Sequence, residues 1–230
     1  MTFEEKAHAE YQDLLSSHPE LFQNQHGVTY IKNPETISKW EKETGETIGV
    51  MHKNKYEITV VDLIQKDGKR KSHGRIILPD GGVVIVPKAG DKFVFENQYR
   101  YPLCQSFLAF PRGHREANAS PEEDAAREIE EELGGATIQN LHYLGKTYPE
   151  THSDAWYCSI WTGEVDPESL SLRQGYEGIN DLVLLTASEI DTKIAKDKIT
   201  CGYTLAAWAL YRSHNHNHEY NHDRNREKLV

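Results

Sequence analysis

Seven acidic side chains and one basic side chain fall between Glu122 and Glu132. Like charges three or four residues apart on a helix repel, each pair costing roughly a few tenths of a kcal/mol. The segment nevertheless carries strong helix signals. Ser120 is a suitable N-cap, Pro121 suits the first helical position, and Glu123 completes a capping box. Gly134 and Gly135 supply a stop, so a helix is expected near residues 121–133. At about 100° per residue, Ala125, Ala126, Ile129 and Leu133 form an apolar stripe, and Glu128, Glu131 and Glu132 lie on the neighbouring arc. Burial at the edge of that stripe penalises each charge further. A divalent cation would remove the conflict, and hard oxygen donors at this density suit Mg²⁺ or Mn²⁺. A solvated acidic face is the competing reading of the helix alone. Arg127 stands four residues before Glu131 and can pair with it.

The elements that must position this helix are mostly strands. Residues 56–64 are rich in β-branched types and predict a strand. Asp67-Gly68 predicts a tight turn, with residues 75–78 returning; the basic side chains Lys66, Lys69, Arg70 and Lys71 around it fit a solvated hairpin. Residues 83–86 and 92–99 predict a further strand pair, and residues 138–144, 155–162 and 182–185 three more strands. Thr186 with Glu189 predicts a capped helix from about Ala187, and residues 199–212 a closing helix. This order lacks the regular alternation of a doubly wound parallel sheet. It favours a mixed α+β or α/β arrangement, a mixed sheet packed with helices. Residues 1–50 form a polar, helical N-terminal extension, with one helix over residues 3–15 and another starting near Pro34. Residues 213–230 alternate His and Asn, with His214, His216, His218 and His222. With no apolar anchor they predict a disordered tail, although such a pattern also suits a transition metal.

Residues 113–135 resemble the Nudix hydrolase motif, G-x5-E-x7-R-E-U-x-E-E-x-G-U, where U is a bulky aliphatic residue. Arg127, Glu128, Ile129, Glu131, Glu132 and Gly134 match its second half in full. Two positions depart: Ala119 replaces the first Glu, and Gly135 replaces the final aliphatic residue, where Ala136 or Ile138 would have to fill in. The likeness extends over about residues 55–212. Gln98-Tyr99-Arg100-Tyr101-Pro102, Phe110-Pro111-Arg112-Gly113, Pro149 and Tyr176-Glu177-Gly178-Ile179 resemble segments of ADP-ribose pyrophosphatases in the same order.

This resemblance implies an α/β/α sandwich, with a Nudix domain over residues 51–212 and residues 1–50 as a dimerising extension. It implies a metal-dependent hydrolase that splits the pyrophosphate of a nucleoside diphosphate derivative. ADP-ribose, giving AMP and ribose 5-phosphate, is the leading substrate; another nucleotide sugar or a dinucleotide is the alternative, as is a non-catalytic nucleotide sensor on the same scaffold. Glu128, Glu131 and Glu132, with Gly113, become the expected metal ligands. Arg127 is expected to orient a motif Glu, and Glu177 to act as general base or as an additional metal ligand, with Glu150 as runner-up. Arg100, Arg112 and Tyr99 are expected to contact substrate, although core packing is the stronger expectation for Tyr99 and Tyr101.

Composition sets limits on partners. A net charge of −10 argues against a nucleic-acid polymer, which calls for a basic stripe. No stretch approaches the roughly 18 apolar residues of a membrane span. Cys104, Cys158 and Cys201 are widely spaced, which points to a reducing cytoplasm and no disulfide framework. They are read as small apolar residues. The partners that the family resemblance implies are a small nucleotide and a second copy of the chain.

Overall fold

A computed structural model describes residues 1–172 and 178–227, with side chains to residue 215. The chain forms two compact units. One comprises Met1–Pro79 with Glu150–Trp156, the other Asp80–Pro149 with Tyr157–Val230.

In the first unit, helices α1 (Phe3–Ser17) and α2 (Pro34–Thr44) accompany strands β1 (Val28–Tyr30), β2 (Gly49–Lys53), β3 (Ile58–Lys66) and β4 (Lys69–Ile77). All pairings are antiparallel and all involve β3: β1 and β2 share one edge, and β4 takes the other. The β3–β4 turn places Asp67 and Gly68 at φ of 51° and 75°, the left-handed pair that a two-residue hairpin requires. Tyr11, Leu14, Phe22, Ile37, Ile48, Val60 and Leu63 form one core. This core corrects the expected boundary at residue 50. Strands β2 to β4 bury their apolar face with Tyr11 and Leu14, so residues 1–50 are half of a larger unit. Residues 155 and 156, expected to open a strand, also belong here; the Ala155 N–H donates to the Ile76 carbonyl at 2.8 Å.

The second unit is built on a seven-stranded sheet. Its strands are β5 (Gly82–Ala89), β6 (Lys92–Arg100), β7 (Gln105–Ala109), β8 (Arg112–His114), β9 (Ile138–Thr147), β10 (Cys158–Val165) and β11 (Ile179–Thr186). The order is β11-β6-β5-β10-β9, with β7 on β6 and β8 on β5. Strands β5 and β10 run parallel and the other pairings are antiparallel, so the sheet is mixed, as expected.

Alternation along the strands gives this sheet two buried faces. Val83, Ile85 and Val94 pack with Ala125, Ile129 and Leu133 of helix α3 (Pro121–Glu132). On the opposite face Phe93 and Phe110 meet Trp208 of α5 (Gly202–Glu227), and Phe95 packs on Phe110. Helix α4 (Ala187–Ala195) starts at the expected Thr186 capping box. The α/β/α sandwich is therefore present. Helix α5, however, continues to Glu227, so residues 213–227 of the expected disordered tail are helical. No Gly or Pro follows Gly202, so a helix already nucleated on the core propagates at little cost. His214 Nε2 also lies 2.8 Å from the Leu144 carbonyl.

Candidate catalytic site

The site begins with the ends of α3. Ser120 and Glu123 form the predicted reciprocal capping box. At the other end Gly134 and Gly135 have φ of 72° and 92°, and the Gly135 N–H donates to the Glu130 carbonyl at 2.7 Å. This is a Schellman closure. It explains why Gly stands where the family motif has an aliphatic residue: a side chain at Gly135 would be strained. The apolar contact passes to Ala136 and Ile138, both in the core against α3.

Between these ends the acids separate by depth. Glu128 and Glu132 are buried, and Glu132 is only 1% exposed. Glu131 is half-buried at the surface. The Arg112 N–H on β8 donates to Glu132 Oε2 at 3.1 Å. A Cβ at Gly113 would fall on the carboxylate of Glu128, so the glycine is needed for the loop to pass over that acid. Arg127 lies 2.7 Å from Glu128, 3.1 Å from Glu131 and 3.3 Å from Asp124, and donates to the His114 carbonyl at 2.9 Å. It ties two candidate ligands to the loop before the helix.

Two acids were missed in the sequence. Asp124 is fully buried, accepts the Glu116 N–H at 3.2 Å and pairs with Arg115 at 3.5 Å. Arg115 also donates to the Asp80 and Ala119 carbonyls. The loop is thus held through Asp124 and Arg115, and Ala119 contributes only backbone. The second acid is Glu96 on β6. Alternation puts it on the same face as Val94, toward α3, where the charge of Glu128 acts on it and its own charge acts on Glu132. An acid in phase with an inward-facing valine was the available signal.

Burial raises the Glu132 carboxyl well above the ordinary carboxylate range, and the charges of Glu96 and Glu128 add to this. Burial likewise pushes Glu96 up to about 7, although Arg100 and Arg112 favour its charged form. Among the described residues neither arginine closes an ion pair with these acids, and Oε1 of both Glu96 and Glu132 lacks a hydrogen-bond partner. The donors are all hard oxygens, two of them buried and unsatisfied, which fits a divalent cation. Among the described residues no three acidic, imidazole or thiol side chains yet surround one point. A cation would therefore retain water ligands, as Mg²⁺ commonly does.

The remaining candidates are less concentrated. Arg100 at the end of β6 and Arg112 are close enough to disfavour each other's charge; burial, followed by Arg112, lowers the Arg100 guanidinium from its usual value. Arg112 also sits over the ring of Tyr203, 4.4 Å from its centroid. Tyr99 and Tyr101 are exposed, which corrects the expectation that they pack in the core: both follow the last inward positions of β6. Glu150 accepts the His152 N–H at 2.7 Å in a local turn of the first unit. Glu177 lies outside the described residues. Cys158 is buried as expected, but Cys104 is exposed because it occupies a tight left-handed turn.

A mixed sheet with a capped acidic helix laid across it, under a loop pinned by Arg127, defines the class. Residues 76–200 match the family model for the NUDIX domain, and the chain belongs to that family. Among solved structures it is similar to the crystal structure of an ADP compounds hydrolase, at 18% identity and a TM-score of 0.65, covering 83% of this chain and 95% of that one. At that identity the likeness concerns the fold. No curated protein matches the chain by sequence. No helix among the described residues is long and apolar enough to cross a membrane.

Proposed function

We propose that this Nudix hydrolase uses Mg²⁺, or Mn²⁺, to split the pyrophosphate of a nucleoside diphosphate derivative, with ADP-ribose giving AMP and ribose 5-phosphate as the leading case. The observation that carries this reading is the buried pair Glu128 and Glu132 on the Nudix helix, with Arg112 hydrogen-bonded through its backbone to Glu132. Glu128, Glu131 and Glu132 supply the oxygen ligands, with Gly113 passing close enough to offer backbone. When bound, the cation offsets the diphosphate charge and acidifies a water for attack. Arg127 fixes the rotamers of Glu128 and Glu131. Arg100 and Arg112 offer paired donors to phosphate oxygens, and the exposed Tyr99 a face for the base. Glu177 is the proposed general base. The likeness in fold to an ADP compounds hydrolase supports an ADP-containing substrate. Residues 1–50 are the proposed dimerisation element, and the cytoplasm the proposed compartment.

The test is turnover by the purified chain with Mg²⁺ on a panel of ADP-ribose, other nucleotide sugars and dinucleotides. ADP-ribose is expected to be hydrolysed fastest. Thermal stabilisation by ADP-ribose with no turnover of any member would instead indicate a nucleotide sensor.

A further inference from the structure

Glu96 is 1% exposed and stands in the middle of a strand whose inward neighbour on the same face, Val94, belongs to the apolar core. A carboxylate there needs a partner, because an unpaired charge in such a place is expensive. Bulk water does not reach it, since the residue is buried. A side-chain cation does not serve either: among the described residues none forms an ion pair with it. Glu132 stands near enough to feel its charge, and Oε1 of both acids is left without a hydrogen-bond partner. Two carboxylates with their free oxygens in one buried place are an arrangement that a shared dication resolves.

We propose that Glu96 is a further ligand of the cation site, reaching it from the sheet while Glu128 and Glu132 reach it from α3. This rests on the metal-dependent reading above and extends it. The ligand set then spans two elements, so the bound ion fastens the Nudix helix to strand β6.

Mn²⁺ binding to the full chain, followed by the loss of its free-ion paramagnetic resonance signal, tests this directly. Glu96→Gln keeps the shape and is expected to weaken Mn²⁺ at least tenfold. It should also shrink the rise in melting temperature that Mn²⁺ gives, without lowering the melting temperature of the metal-free chain. Glu96→Val, matched to the apolar face, should do the same. If Glu96 and Glu132 share one ion, combining Glu96→Gln with Glu132→Gln should weaken binding by less than the product of the single effects. Mn²⁺ affinity within twofold of the wild type in either single variant would overturn the role of Glu96 while leaving the metal-dependent reading intact. Absence of Mn²⁺ uptake by the wild type, with and without ADP-ribose, would overturn both.

Discussion

The two units each bury ionic groups, and they do so in opposite ways. In the first, Asp62 is fully buried and its charge is answered on the spot. Arg75 Nε lies 2.6 Å from one oxygen, and the Tyr11 hydroxyl donates to the other at 2.7 Å. Arg75 donates further to the Leu21 carbonyl and lies over the rings of Phe22 and Tyr30. In the second unit, Glu96 and Glu132 are as deeply buried and face each other, with an unsatisfied oxygen apiece. In the first arrangement both carboxylate oxygens are answered within the chain, although Nη2 of Arg75 lacks a hydrogen bond; in the second each carboxyl keeps an oxygen that nothing in the chain answers. A buried charge that is fully paired tells of folding, and one that is not tells of a ligand.

The comparison breaks most visibly through the first network. Arg75→Met leaves Asp62 buried without a counter-charge, and the expected loss is roughly 3–5 kcal/mol of stability, read by urea denaturation. Glu132→Gln should behave in the contrary way. The metal-free protein should be at least as stable as the wild type, because a repulsion is removed, while turnover with Mg²⁺ falls on the order of 10²–10³-fold, the scale of losing one transition-state charge stabiliser. If Glu132→Gln destabilised the metal-free chain as Arg75→Met does, the two regions would be alike and the contrast would fail.

Acidity sharpens the same contrast. Burial holds the Glu96 carboxyl at about 7 in the folded chain, against an ordinary value of 4.5, so the folded state holds that proton more tightly than the unfolded one. The stability this contributes is full below about 4.5 and is lost as pH rises through about 7. The melting temperature of the metal-free protein should therefore fall across that window, and Glu96→Gln should flatten the fall. A smaller effect is expected at the helix stop. Gly135→Ala, at φ of 92°, should cost about 1 kcal/mol by thermal denaturation and leave Mg²⁺ affinity unchanged.

Much of the second unit was legible because its signals are local. The Ser120–Glu123 box, the Gly134-Gly135 stop and the phase of Ala125, Ile129 and Leu133 fix α3 and its buried stripe without reference to the rest of the chain. Strand β6 was legible as a strand, yet the meaning of Glu96 was not. It depends on which face of β6 meets α3, and that is set by packing with Val83 and Ile85. Asp124 was hidden for a similar reason: as one of seven acids on the helix it looked like the others, and only the fold of residues 113–120 around it makes it a structural anchor. The boundary at Pro79 was missed because β3 and β4 have the same alternating pattern whichever core receives them. The helical course of residues 213–227 follows from an absence of breakers, a weaker signal than the polar composition that argued against it.

The central claim is that Glu128 and Glu132 remain deprotonated and buried in the working protein because a dication holds them against a diphosphate. Calorimetric titration of Mg²⁺ into the full chain with AMP present tests it most directly. Saturable binding is expected in the wild type and none in the Glu128→Gln, Glu132→Gln double variant. Equal heats from the two proteins, or no heat from either, would contradict it.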